Sequence, residues 1–181
     1  MKKFELTNEF VTNMFGTKLF RIRALVEFGD VEAGELGGYV EKESNLGHDD
    51  NAWVYGNARV YGDALVYDNA RVHGNAWVYG DAQVSGDARV CGDARVCGNG
   101  DYAYAHGFGS VNRTTTFFRL KDGGVGVRCG CFYGTLAQFR DKIRETHGET
   151  KKAQEYLMLA DLMELRFEED ENEVGNRKYV E

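Results

Sequence analysis

Between His106 and Arg128 the chain carries Arg113, Arg119, Lys121 and Arg128 against one acid, Asp122. That stretch is +3 in a chain of 181 residues whose formal net charge is −7, so the remainder carries −10. A guanidinium fork binds phosphate oxygens in pairs, an aromatic face stacks on a base, and glycine lets a ligand approach the backbone. Arg113, Thr115, Phe117, Arg119, Arg128 and Phe132 offer these groups at strand spacing, with His106 beside them. The chemistry they predict is the capture of a small anionic, nucleotide-like ligand. The same arginines also suit ion pairs with acids of the helices that follow, or a subunit contact.

Positioning these groups requires a hairpin. Asp122-Gly123 between two β-rich runs reads as a tight two-residue turn, with Lys121 paired to Gly124. In that register Leu120 meets Val125, Phe118 meets Val127, Thr116 meets Cys129 and Thr114 meets Cys131 on a core face. The opposite face then pairs Arg119 with Gly126, Phe117 with Arg128, Thr115 with Gly130 and Arg113 with Phe132. All three arginines are expected on that second face.

The scaffold is set by a repeat. From Asn51 the chain reads NAWVYG, NARVYG, DALVYD, NARVHG, NAWVYG, DAQVSG, DARVCG, DARVCG. Alanine and valine lie two apart and point to one side of a short strand, while Gly with Asn or Asp turns each corner. A strict period of six predicts a parallel β-helix of three-sided, 18-residue coils, about 2.7 of them. Coils stack at about 4.8 Å. Outward columns follow: Trp53, Arg71 and Arg89; Arg59, Trp77 and Arg95; Tyr55, His73 and Cys91; Tyr61, Tyr79 and Cys97. Each Trp stands one coil from an Arg, which suits cation–π contact. These columns serve as solvated support of the solenoid, or as a subunit contact.

A solenoid needs its ends covered. Residues 1–48 are expected as an N-terminal β cap, with Phe20, Ile22, Ala24, Val26 and Phe28 alternating after a turn at Gly16. Residues 49–104 form the β-helix, and 105–168 a C-terminal module of hairpin plus two helices. Thr135 and Gln138 make a capping box for a helix that buries Leu136, Phe139 and Ile143. A second helix from about Thr150 buries Ala153, Tyr156, Leu157, Ala160, Met163 and Phe167; Met158, Leu159, Leu162 and Leu165 widen its apolar surface toward a second subunit. Residues 169–181 read as a mobile acidic tail.

The acidic balance argues against DNA or RNA as a partner, and no apolar run is long enough for a membrane. MKKFELTNEF is too polar for a secretory signal, and four cysteines fit reduced thiols in a cytoplasm. Among His48, His73, His106 and His147, only His106 adjoins the basic hairpin as a general-base candidate; His147 sits at a helix end, where the dipole favours a cation. Cys91, Cys97, Cys129 and Cys131 lack the spacing of a zinc site, and the coils have no loop insertion to wrap a substrate, so no metal, cofactor or catalytic residue is expected.

The hexads resemble the left-handed β-helix repeats of the hexapeptide acyltransferase superfamily, whose members are usually trimers. The whole chain is more similar to hexapeptide-repeat proteins of bacteriophages and prophages, through GGYVEKESNLG, the NAWVYG-type hexads, TTTFFRLKDG, CGCFYGTL and ETHG. The two likenesses imply a phage or prophage origin, a left-handed parallel β-helix and a C-terminal α/β module. With the basic hairpin it frames the expected function: a non-catalytic homo-oligomer, with a trimer favoured, that sequesters a nucleotide signal of host immunity. The rival readings are an acyl-CoA-dependent acyltransferase using His106 and a structural or protein-binding module built on the aromatic columns.

Overall fold

The computed structural model describes residues 1–111 and 113–168; the expected acidic tail, 169–181, lies outside the described residues. The fold is mainly β: a parallel solenoid of about three turns, a C-terminal antiparallel sheet and two helices.

The chain opens with an antiparallel hairpin of β1 (Phe4–Thr12) and β2 (Lys18–Ala24), followed by β3 (Leu36–Val40). β3 pairs antiparallel with β2 on one side. On the other it pairs in parallel with a coil strand, Tyr39 beside Arg59 and Val40 beside Val60. Leu46 likewise bridges to Val66. The solenoid ladder therefore reaches back into GGYVEKESNLG, the segment read as cap. The alternation expected from Phe20 to Phe28 holds only in part. Leu19, Ile22 and Ala24 are buried, Phe20 is half-exposed, and the strand stops at Ala24. Irregular pairing on both sides of β2 changes which parity faces inward.

The coils use strands of two residues each. β4 (Trp53–Val54), β7 (Arg71–Val72) and β10 (Arg89–Val90) form one face. β5 (Arg59–Val60), β8 (Trp77–Val78) and β11 (Arg95–Val96) form the second. β6 (Leu65–Val66) and β9 (Gln83–Val84) form the third. Val54 stands beside Val72 and Val72 beside Val90, so the ladder step is the expected 18 residues. Every hexad Ala and Val is buried, giving a thin aliphatic core that runs the length of the solenoid. Corners need positive φ: Gly74 has φ +74°, and a Cβ there would press against the backbone of Gly92 one coil on.

The two tryptophans part company. Trp77 lies between Arg95 and Arg59, whose Cζ atoms stand 4.2 and 5.2 Å from its ring. Trp53 is fully buried under the N-terminal cap, edge-on to Phe28 at 5.3 Å and Phe4 at 6.2 Å. Its expected cation–π contact with Arg71 gives way to burial, a larger gain for an indole. Lys3 closes this end, its Nζ donating to the Ala52 carbonyl at 2.9 Å.

At the other end, β12 (Tyr102–Phe108), β13 (Arg113–Arg119), β14 (Val125–Cys129) and β15 (Phe132–Thr135) make an antiparallel sheet in chain order. β13 crosses the open coil: Phe118 enters the solenoid core and Leu120 bridges to Ala94. Helices α1 (Leu136–His147) and α2 (Lys151–Phe167) cover the far face. The capping box forms as expected, Thr135 Oγ1 accepting from the Gln138 amide and Gln138 Oε1 from the Thr135 amide. The sheet is thus a filling between solenoid and helices. No helix among the described residues is long and apolar enough to cross a membrane.

Candidate functional site

The hairpin turn is one residue longer than the expected one. The Leu120 amide donates to the Gly124 carbonyl at 2.8 Å, and the Gly123 amide to the Leu120 carbonyl at 3.0 Å. Lys121, Asp122 and Gly123 form the loop, with Gly123 at φ +85° supplying the left-handed residue of a three-residue turn. Thr115 therefore pairs with Cys129, Phe117 with Val127 and Arg119 with Val125, while Thr116 pairs with Arg128 and Phe118 with Gly126. A slip of one residue exchanges the faces of one strand relative to the other. This corrects the expected register and separates the three arginines.

Thr115, Phe117, Arg119 and Phe132 turn toward the helices. Thr115 is buried and its hydroxyl donates to Cys129 Sγ at 3.2 Å. Phe117 and Phe132 pack on Phe139 at 6.1 and 5.5 Å between ring centres. Arg119 is ion-paired to Asp101 at 3.3 Å and stacks over Phe167 at 5.5 Å. These four have contacts of a structural kind and do not share a surface with Arg128.

Arg128 faces the solenoid, with its Nε buried and without an acceptor among the described residues. It lies close to His73 and Cys91 of the outward column. Burial first, and then Arg128, Arg89 and Arg71, hold His73 below its ordinary range, so a neutral imidazole sits among three guanidiniums. Burial pushes the Cys91 thiol up to about 11, which leaves it unreactive as a nucleophile.

Arg113, at the start of β13, leads to the open site. Here the cap meets the first solenoid face and leaves a cleft of about 500 Å³. Arg71 and Arg89 come from β7 and β10, Arg113 and Thr114 from β13, and Asn51, Asn69 and Asp87 from the stacked corners. Gly130 lines it at φ +59°, a left-handed conformation that favours glycine, and a Cβ there would push the Arg113 guanidinium from its place. Arg71 reaches Asp30 at 2.6 Å; although burial works against it, the hydrogen bonds from Arg71 and Tyr55 hold the Asp30 carboxyl below its usual range. Arg89 and Arg113 make no ion pair among the described residues. His106 Nδ1 lies 2.9 Å from Thr114 Oγ1, at the cleft wall.

Of the residues singled out in the sequence, the fold brings Arg113 and, through Thr114, His106 to this cleft. Arg71 and Arg89 were read as solenoid support and belong to it as well. Their signal was the outward column itself, two arginines in register at the end where the cap docks. Among the described residues no three His, Cys, Asp or Glu side chains converge as a metal site.

Comparison with known proteins bears on the coils. Residues 52–67, 64–80 and 82–98 match the YdcK beta solenoid repeat. No curated protein matches the chain. Over its coils the chain is similar to YdcK-type solenoids, and the protein is a β-solenoid repeat protein closed at its C-terminal end by a sheet and two helices.

Proposed function

We propose that this protein is a non-catalytic binder that captures a small anionic, nucleotide-like ligand in the cleft between coil and cap. The observation that carries the reading is the convergence of Arg71, Arg89 and Arg113 on one open cleft, with Arg71 alone ion-paired among the described residues. Three guanidiniums converging on a cleft whose lining offers one carboxylate, Asp87, leave a local excess of positive charge that a phosphate relieves. The likeness of GGYVEKESNLG, TTTFFRLKDG and CGCFYGTL to phage and prophage hexapeptide-repeat proteins supports a phage-encoded sponge acting on a nucleotide signal in the host cytoplasm. Self-association, with a trimer favoured, is part of the reading; the exposed Met158, Leu162 and Leu165 along α2 support it, and sedimentation measures the copy number.

Protein purified from cells with active nucleotide-signalling defences is heated, and the released small molecules are identified by mass spectrometry. A stoichiometric intact nucleotide, absent from the Arg89→Ala/Arg113→Ala variant, is expected. An empty protein that also ignores a nucleotide panel in calorimetry overturns the proposal.

One contact favours the acyltransferase reading as a second. His106 within 2.9 Å of the Thr114 hydroxyl places a base beside a cleft suited to cofactor phosphates. Turnover with an acyl-CoA donor, lost in His106→Ala, would establish it.

A further inference from the structure

We infer that the cleft reads the phosphate and hydroxyl groups of its ligand and leaves the base unread, so that it takes phosphorylated pentoses with little discrimination among nucleobases. This rests on the reading of the cleft as an anion site. Phosphate and base are recognised by different side chains: guanidiniums hold the first, while aromatic faces and edge-reading amides in an enclosed pocket hold the second. The cleft has the first set in Arg71, Arg89 and Arg113; among the described residues no aromatic side chain lines it, and the two amides that do, Asn51 and Asn69, donate along the coil corners.

The nearby rings are engaged elsewhere. Phe117 and Phe132 lie against Phe139 on the helix side of the sheet. Tyr55 donates to Asp30 at 3.0 Å and meets His73 edge-on at 6.5 Å.

The other wall is a directed chain of hydrogen bonds along the coil corners. Asn51 Nδ2 donates to Asn69 Oδ1 at 3.1 Å, and Asn69 Nδ2 donates to Asp87 Oδ1 at 3.3 Å. The chain ends on the carboxylate of Asp87, which lines the same cleft as the three arginines. An ionised carboxylate only accepts, so it repels a bare polyanion and favours a ligand that offers donors next to its charge. A phosphorylated pentose has that pattern, and a carboxylate gripping ribose hydroxyls is a recurrent solution in nucleotide sites. Asn69, Asp87, Arg89 and Arg113 are all solvent-exposed, so a base attached to the sugar has an unobstructed way out.

Calorimetry with AMP, GMP, CMP, UMP, ribose 5-phosphate, 2-deoxyribose 5-phosphate and inorganic phosphate tests this on the full chain. The four nucleotides and ribose 5-phosphate are expected within about threefold of one another, and inorganic phosphate about tenfold weaker or more. Asp87→Asn keeps the corner amide-compatible while removing the charge, and is expected to erase the preference for ribose over deoxyribose. A spread above about tenfold across the four bases, or phosphate binding as tightly as ribose 5-phosphate, overturns the inference while leaving an anion site standing. Failure of every probe to bind removes the anion reading itself, and this inference with it.

Discussion

The backbone amide of Arg89 donates to the hydroxyl of Thr116 at 2.9 Å, tying the last coil of the solenoid to the strand that closes it. Earlier coils satisfy this amide with the next coil; the Arg71 amide donates to the Ala88 carbonyl at 2.9 Å. At the end of the stack there is no next coil, and a side chain of the cap takes its place. The Lys121 amide similarly reaches the Asp93 carbonyl at 3.1 Å. The cap is thereby docked at a fixed angle, and with it Arg113 against the arginines of the coil.

Thr116→Val keeps the shape of the side chain and removes the acceptor. Leaving this part-buried amide without a partner costs about 1 kcal/mol, the low end of the range for a donor that loses its acceptor. Denaturant unfolding should show that loss, and anion affinity should fall in parallel because the cleft depends on the same docking.

Arg113 and Arg119 separate binding from stability although both lie on β13. Arg113→Ala removes a guanidinium from the cleft and should weaken anion binding by about 1.5–3 kcal/mol with little change in melting temperature. Arg119→Ala removes the largely buried ion pair with Asp101 and the stacking over Phe167, so it should lower the melting temperature by several degrees and leave affinity intact. Calorimetry beside thermal melts of both variants checks the split; equal loss of affinity in the two would refute it.

Stability should decline at both ends of the pH scale for identifiable reasons. The folded state holds His73 below its ordinary 6.5, so beneath that pH the unfolded chain takes up the proton first. The His73 contribution is full above 6.5 and shrinks as pH falls toward the folded value; His73→Gln should flatten this acid limb. Burial pushes Tyr55 and Tyr61 up to about 12 from 10. Between those values the unfolded chain releases protons first, and stability falls as pH rises. Ultraviolet titration of tyrosinate in wild type and in Tyr61→Phe measures the second limb.

Trp53 and Trp77 occupy equivalent positions in the repeat and should differ in worth. Trp53→Ala opens a cavity beneath Phe4 and Phe28 and should cost about 3–5 kcal/mol. Trp77→Ala removes an indole held between Arg59 and Arg95 at the surface, a loss of about 1 kcal/mol. Urea midpoints of the two variants check the difference.

Periodic and local features were legible in the chain alone. The six-residue spacing of Ala and Val dictates the coil, because only inward positions at that period build a continuous core. The 18-residue columns followed from it, down to the stacking of Tyr61 on Tyr79 at 5.2 Å. Thr135 and Gln138 announced the start of α1, because a capping box acts within four residues. The hairpin register was not legible. The sheet is covered on both faces, Phe118 entering the solenoid core and Phe117 the helix core, so neither face has the polar marking that identifies the outside of a half-buried strand. Trp53 also escaped prediction, since a repeat position says nothing about whether a cap will cover it. The candidate cleft depends on tertiary structure in the same way: Arg71 and Arg113 are far apart in the chain, and only the docking of the cap on the last coil brings them to one surface.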